Sequence, residues 1–202
     1  MLSASIQNKV SLSKLVQTNK RISTVKNLAF QIKIKSLNEQ ILSIKNNMDE
    51  TGFQVVSREF ILFSKVFEEL ANEMQVLMDS MLPNIAEKIK SEKLGNLKRL
   101  TETYSQTKIF SSNKKSQKEN EENQDRWQKS LSENSRSLVR LLKRSELLSL
   151  QGNIIFMQSK ITGAYIRETE QGSLLLSLTN ELGEIMTEVR NNVTYIKKIW
   201  ED

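Results

Sequence analysis

Residues 53–81, FQVVSREFILFSKVFEELANEMQVLMDSM, decide the fold. Large apolar side chains recur here in alternating steps of three and four, which is the spacing of a helix with one buried seam. The seam consists of Phe53, Val56, Phe60, Phe63, Phe67, Leu70, Met74, Leu77 and Met81. Aromatic and methionine side chains can also line a ligand groove, but this regular spacing favours the core of a helical bundle.

Three other segments show the same spacing. The first lies within residues 6–48, and its two adjacent seams are Ile22, Val25, Ala29 and Ile32, then Ile34, Leu37, Ile41, Ile44 and Met48. The next seam comprises Trp127, Leu131, Leu138, Leu141, Leu147, Leu150, Ile154, Met157, Ile161 and Ala164. The last comprises Leu175, Leu178, Leu182, Ile185, Val189, Asn192, Ile196 and Ile199. We therefore expect four helices with these seams in the core.

Polar segments separate the helices. NNMDETG at 46–52 and RETEQGS at 167–173 have the composition of turns and place Gly52 and Gly172 in them. SSNKKSQKENEENQDR at 111–126 predicts a polar linker, either a loop or a frayed helix end, and Pro83 predicts a kink or a break. The sequence thus predicts an all-α protein with helical hairpins at 1–110 and 127–202. Together they form an elongated antiparallel four-helix bundle or coiled coil with both turns at one end.

The composition excludes several kinds of active site. The 202 residues include no cysteine and no histidine, which removes thiol nucleophiles, Cys/His metal sites and Ser-His-Asp relays. The carboxylates show neither metal-ligand spacing nor a partner typical of acid–base catalysis. We therefore expect no enzymatic activity, no cofactor and no metal.

Charge and hydropathy bear on partners and location. Lys+Arg 30 against Asp+Glu 24 give a net charge of +6, and clusters such as Lys88-Ile89-Lys90 are found in chains that bind nucleic acid or an anionic membrane surface. Acidic residues such as Glu87 and Glu92 interleave and no aromatic residues accompany the lysines, so we expect no nucleic-acid partner. No apolar run is long enough to span a membrane, and the first residues do not form a secretory signal. A cytoplasmic protein without membrane insertion is expected.

The first turn carries a family resemblance. LAFQIKIKSLN at 28–38, followed by EQILSIKNNMDETGFQVVSRE at 39–59, resembles the signalling tip of the methyl-accepting chemotaxis receptors without a gap. The identical positions are Ala29, Phe30, Gln31, Ile34, Leu37, Asn38, Ile41, Gly52, Phe53, Val55, Val56 and Glu59, with Lys45 in place of the family arginine. Lys35 stands at a family leucine, where its charge must extend out to solvent.

The second hairpin repeats this outline more weakly. GSLLLSLTNE at 172–181 follows the second half of the family pattern and preserves Gly172 and Glu181. Upstream, two registers are open: Arg167 matches the family arginine without a gap, whereas SKITGA at 159–164 fits better if two residues are inserted before the glycine. The chain thus resembles two receptor tips in tandem.

The resemblance implies a partner surface at the tip. Its predicted residues are Phe30, Gln31, Ile34, Leu37, Asn38, Ile41, Lys45, Phe53, Val55, Val56 and Glu59, with Arg167 and Glu181 in the second tip. The implied function is that of a non-enzymatic signalling scaffold that engages a receptor, the CheA kinase or the CheW coupling protein. The alternative is a helical adaptor that binds an unrelated protein along its shaft. The bundle would be a monomer that mimics the receptor dimer, or a homodimer.

Overall fold

The computed structural model describes residues 11–45, 52–104, 114–165 and 170–201, and places almost all of them in four helices. The helices are α1 (Leu12–Lys45), α2 (Phe53–Tyr104), α3 (Lys114–Tyr165) and α4 (Glu170–Glu201). Ser11 caps α1, because its Oγ accepts a hydrogen bond from the Lys14 backbone N–H at 3.2 Å. The predicted all-α class is confirmed.

The chain divides into two compact units that cut across the predicted hairpins. Of the described residues, unit 1 comprises those within 1–16 and 76–138, and unit 2 comprises those within 17–75 and 139–202. Unit 2 contains parts of all four helices, whereas unit 1 consists mainly of the second half of α2 and the first half of α3.

Unit 2 is an antiparallel four-helix bundle. Ser57 of α2 donates a hydrogen bond to Glu39 of α1, and Gln75 of α2 donates one to Asn19 of α1. Residue numbers therefore increase along α2 as they decrease along α1, which makes the two helices antiparallel. The same reversal relates α1 to α4 and α3 to α4, through the pairs Thr179–Glu39, Trp200–Thr18, Ser159–Thr179 and Lys197–Glu146. The C-terminal ends of α1 and α3 therefore lie at the same end of this bundle.

The core of unit 2 follows the predicted seams in α2 and α4. Phe53, Phe60 and Phe67 are fully buried, and the other members of both seams are buried or half-buried. The first seam of α1 is buried as well, from Ile22 to Ile32. Burying aromatic side chains of this size is the main stabilising contribution to such a bundle, at about 1.5–3 kcal/mol each.

Helix α3 follows its predicted seam as far as Leu141 and departs from it beyond that residue. From Leu147 onward, the predicted core residues of α3 are exposed, and its buried face carries small residues instead: Ser145, Ser149, Gly152, Ser159 and Gly163. The cause is the bulk of the opposing helices. A Cβ on Gly152 would lie 2.1 Å from the Met186 Cε and 2.8 Å from a ring carbon of Phe63, so a larger residue would collide with the core.

Two segments of unit 1 that the sequence leaves open, one as a loop or a frayed helix end and one as a kink or a break, are helical. Helix α3 begins at Lys114, so residues 114–126 of the predicted linker are helical, since they contain good helix formers and neither glycine nor proline. Helix α2 continues through Pro83, which is exposed, while Met81 and Ile85 on either side are buried. Packing on both sides of the proline offsets the lost backbone bond.

Polar contacts join the two helices of unit 1. The Asn134 Nδ2 donates to Ser80 Oγ at 2.9 Å, and the Asn84 Nδ2 donates to Ser130 Oγ at 3.3 Å. None of the helices in the described part of the chain is apolar over a length that would cross a membrane.

The burial pattern reveals an internal repeat in unit 2. The buried positions Ile22, Val25, Ala29, Ile32 and Glu39 of α1 recur 120 residues later as Leu142, Ser145, Ser149, Gly152 and Ser159. In α2 and α4 the offset is 122: Phe53, Ser57, Phe60 and Phe67 correspond to Leu175, Thr179, Leu182 and Val189. The difference between the offsets agrees with the register that inserts two residues before Gly172.

Candidate functional site

An apolar stripe runs along the outside of α1. Its members, separated by four, three, four and three residues, are Phe30, Ile34, Leu37, Ile41 and Ile44, which together are named the α1 stripe. Phe30 is 53 % exposed and Ile41 is 51 % exposed, and only Leu37 is half-buried. The stripe faces outward because the inner face of the same helix is filled by Ile32, Ser36, Glu39 and Ser43.

On α1 itself, the charges beside the α1 stripe are positive. Lys33 and Lys45 are exposed, and the only carboxylate in the helix, Glu39, is buried. Lys35 forms an ion pair with Glu181 of α4, which removes its charge from the free surface. The stripe is therefore apolar along its centre, and the free charges that α1 adds beside it are basic.

Most predicted tip residues lie on this surface. Phe30, Ile34, Leu37, Asn38, Ile41 and Lys45 all lie outside the core of α1, and Gln31 is half-buried beside them. On α2, Glu59 is exposed and Val55 is 63 % exposed. The prediction is corrected for Phe53 and Val56, which are 0 % and 6 % exposed and serve the core.

The predicted turns are described only in part. Gly52 has a φ of 74°, the left-handed conformation that glycine adopts at little cost, and its carbonyl accepts the Val56 N–H at 3.1 Å as α2 begins. Gly172, predicted in the second turn, lies inside α4 instead. Residues 46–51 and Arg167 lie outside the described residues.

No family model, curated protein or solved structure matches the chain. The receptor resemblance therefore rests on the quoted residues alone and remains a prediction.

A buried polar layer lies beneath the α1 stripe and takes one side chain from each helix. The Glu39 carboxylate accepts a hydrogen bond from Thr179 Oγ1 at 2.9 Å and another from Ser57 Oγ at 3.1 Å. Ser159 Oγ lies 2.9 Å from Thr179 Oγ1 and completes the layer. All four side chains are buried, so the layer fixes which helices pair and in which register.

Burial controls the protonation of Glu39. Removing the carboxylate from water raises its pKa from the usual 4.5 to about 7, while the hydrogen bonds from Thr179 and Ser57 act in the opposite direction. Its bonded partners are neutral hydroxyls. At neutral pH, Glu39 is thus a carboxyl group poised between its charged and neutral forms.

Sequence reasoning missed this layer, although a signal was present. Ile32, Ser36, Glu39 and Ser43 follow the four-three-four spacing of a buried face, and a glutamate at such a position indicates a buried carboxylate. Among the described residues, the Ser43 hydroxyl is the only buried side-chain polar atom without a hydrogen-bond partner. The polar face of α1 therefore continues one turn beyond Glu39.

The basic clusters of unit 1 lie on a solvated helix face. Lys88 Nζ lies 3.9 Å from Glu92 Oε1, and Lys90 Nζ lies 3.8 Å from Glu87 Oε1. Pairs of this kind, one helical turn apart and open to water, contribute a few tenths of a kcal/mol. They also neutralise part of the positive charge at this face.

Proposed function

We propose that the chain is a non-enzymatic scaffold that binds protein partners through the α1 stripe. The observation that carries this proposal is a row of large apolar side chains at helical spacing, of which Phe30, Ile34, Ile41 and Ile44 are each more than two-fifths exposed. Single exposed apolar residues are common, but a contiguous row edged with charge is typical of an interaction site.

The buried layer supports binding rather than catalysis. The pKa of Glu39 is raised to about 7, a value that would suit a general base at neutral pH. However, its side chain is 0 % exposed, and its two oxygens accept hydrogen bonds from Thr179 and Ser57. A general base must reach the proton it removes. Because Glu39 is buried, a substrate in solvent could not contact its carboxylate.

The proposed partners are taken from the resemblance to the receptor tip. Phe30, Ile34, Ile41 and Val55 belong both to the positions shared with the receptor tip and to the exposed apolar surface. The proposed partners are a chemotaxis receptor, the CheA kinase or the CheW coupling protein, in the cytoplasm. Binding would bias the output of the kinase through a coupling free energy, with no bond made or broken.

The test is co-sedimentation of the full chain with reconstituted arrays of receptor, CheA and CheW, with kinase activity measured in the same samples. The proposal predicts saturable incorporation and changed kinase activity. Phe30→Glu with Ile34→Glu should weaken incorporation about tenfold or more, because charge replaces the apolar contact. Val76→Glu is the matched control, since Val76 is an exposed apolar residue of unit 1 and lies outside the stripe.

Two outcomes would overturn the proposal. One is the absence of incorporation with the wild-type chain. The other is incorporation that the Phe30 and Ile34 substitutions leave unchanged while circular dichroism shows the helices intact. The second outcome would favour the alternative function, an adaptor that binds along its shaft. A specific observation also favours that alternative, namely a second exposed apolar row on α3.

A further inference from the structure

Helix α3 carries an exposed apolar row outside the bundle. Leu147, Leu150, Ile154, Met157 and Ile161, spaced by three and four residues, are together named the α3 stripe. Ile154, Met157 and Ile161 are each 60 % exposed, and Leu147 is 65 % exposed. At about 1.5 Å per residue, the stripe is roughly 20 Å long.

The α3 stripe takes no part in the core of the bundle. The opposite face of α3 packs into unit 2 through small residues, and a Cβ on Gly163 would lie 3.0 Å from Leu176 and 3.4 Å from Phe53. The space inside is thus filled by side chains from α2 and α4. Turning the stripe inward would drive large side chains into that filled space, so the described residues offer the stripe no place in their core.

Positive charge surrounds the α3 stripe along its own helix. Between Arg140 and Tyr165 the only acidic residue is Glu146, and Lys197 of α4 binds its carboxylate at 2.7 Å. Lys143 and Arg144 are exposed just before the first leucine of the stripe, and Lys160 is exposed beside Ile161. The α3 stripe therefore presents apolar side chains with cations at both ends.

The two stripes occupy equivalent positions in the internal repeat. Phe30, Ile34, Leu37 and Ile41 recur 120 residues later as Leu150, Ile154, Met157 and Ile161. Both are edged with lysine or arginine, and the only carboxylate on the same stretch of helix is buried Glu39 for the α1 stripe and the ion-paired Glu146 for the α3 stripe. A second copy of the chain seated on either stripe would bring like charges together, which disfavours self-association.

We propose that the α3 stripe is a docking site for an amphipathic helix of another protein, one with an apolar seam in three-four spacing and acidic side chains beside it. The apolar seam would pack against Leu150, Ile154 and Met157, and the acidic residues would pair with Lys143, Arg144 and Lys160. This inference does not depend on the function proposed for the α1 stripe, since it concerns a different helix, and it gives the alternative function, an adaptor that binds along its shaft, a specific site and partner.

A partner helix fits the stripe better than a lipid surface does. The stripe is one side chain wide and its spacing matches that of an incoming helix seam. Membrane-surface helices combine a broader apolar face with tryptophan or phenylalanine and many cations. The α3 stripe contains no tryptophan and no phenylalanine, and only a few lysine and arginine residues lie near it.

The test uses a fluorescent synthetic peptide of four heptads, with Leu and Ile at a and d and Glu at e and g, titrated into the full chain. The titration is made in an Ile34→Glu, Ile41→Glu background, so that the α1 stripe makes no contribution. We expect saturable binding. Adding Ile154→Glu and Met157→Glu should weaken it about tenfold or more, and a peptide with Lys in place of Glu should bind about tenfold more weakly.

Each remaining outcome overturns the proposal. Absence of saturable binding, equal binding of the Glu and Lys peptides, or binding unchanged by the Ile154 and Met157 substitutions would each do so. Sedimentation velocity that shows a dimer lost in the Ile154→Glu, Met157→Glu variant would assign the stripe to a second copy. Co-sedimentation with phosphatidylserine vesicles, lost in the same variant while the peptide fails to bind, would assign it to a membrane. Circular dichroism confirms that each variant is folded.

Discussion

Thr179 of α4 donates a hydrogen bond to the buried carboxylate of Glu39 in α1, with 2.9 Å between Thr179 Oγ1 and Glu39 Oε1. This bond joins the first helix of the chain to the last. In the internal repeat, Glu39 corresponds to Ser159 and Ser57 corresponds to Thr179. The layer therefore holds one carboxylate where an exact repeat would hold two, and it avoids the repulsion that two buried carboxylates would cause.

Glu39 should make the stability of the bundle depend on pH. Because its folded pKa is about 7 and its usual value is 4.5, the folded state holds a proton between these values that the unfolded state releases. The free energy of unfolding should therefore fall as pH rises from 4.5 to 7, by up to about 3 kcal/mol, and level off above. Urea denaturation at pH 5, 6, 7 and 8 measures this slope.

Glu39→Gln removes the charge and keeps the shape of the side chain. We expect the variant to lose most of the slope and to exceed the wild type in stability at pH 8, with little difference at pH 5. Glu59→Gln, at an exposed position on α2, is the matched control and should keep the wild-type slope. An unchanged slope in Glu39→Gln would show that Glu39 does not titrate in this range.

Thr179→Val should destabilise the bundle more at high pH than at low pH. Valine keeps the shape of threonine but cannot donate to Glu39, and a hydrogen bond to a charged group contributes about 1.5–3 kcal/mol. The loss should be fullest at pH 8, where the carboxylate is charged. Thr187→Val is the control, because its hydroxyl bonds only a backbone carbonyl of its own helix and is exposed. Equal effects of both substitutions would contradict the role assigned to Thr179.

The sequence predicted helix positions and the cores of α2 and α4 because large residues there are also the buried ones. Phe60 in α2 and Leu182 in α4 are examples of apolar positions whose spacing alone identifies the core. The predicted polar linker is helical from residue 114 for a related reason. Residues 114–126 cannot fill a core, but their helix propensity is sufficient to continue α3.

The face of α3 could not be predicted from hydrophobicity. The apolar row from Leu147 to Ile161 gives the stronger periodic signal, yet Gly152 and Ser159 occupy the core, since Phe63 and Met186 fill the space opposite Gly152. A small residue on one helix is buried where a large residue on another helix fills the space opposite it. The two residues are far apart in the sequence, so the pattern of a single helix does not reveal which of its faces is buried. The candidate site could likewise be predicted only in part. Both Phe30 and Phe53 were predicted to face a partner, but Phe30 lies on the surface and Phe53 lies in the core.

Two glycines should respond in opposite ways to substitution by alanine. At Gly152, a Cβ would lie within 2.9 Å of both Met186 and Phe63, so overpacking by about 1–3 kcal/mol should outweigh the helix propensity that alanine gains. At Gly95, the added Cβ would have nothing within 4 Å except its own stretch of helix, and Gly95→Ala should stabilise the protein by about 0.5–1 kcal/mol. Thermal unfolding followed by circular dichroism separates the two. Stabilisation by Gly152→Ala would contradict the close packing of α3.

Alanine substitutions along α3 test which face of the helix is buried. Leu142 is 0 % exposed, so Leu142→Ala should cost about 2–5 kcal/mol through lost burial and the cavity left behind. Ile154 is 60 % exposed, and Ile154→Ala should change the free energy of unfolding by no more than about 0.5 kcal/mol. If Ile154→Ala proved the more costly of the two in urea denaturation, the predicted seam would be the core after all. The α3 stripe would then not be available to a partner.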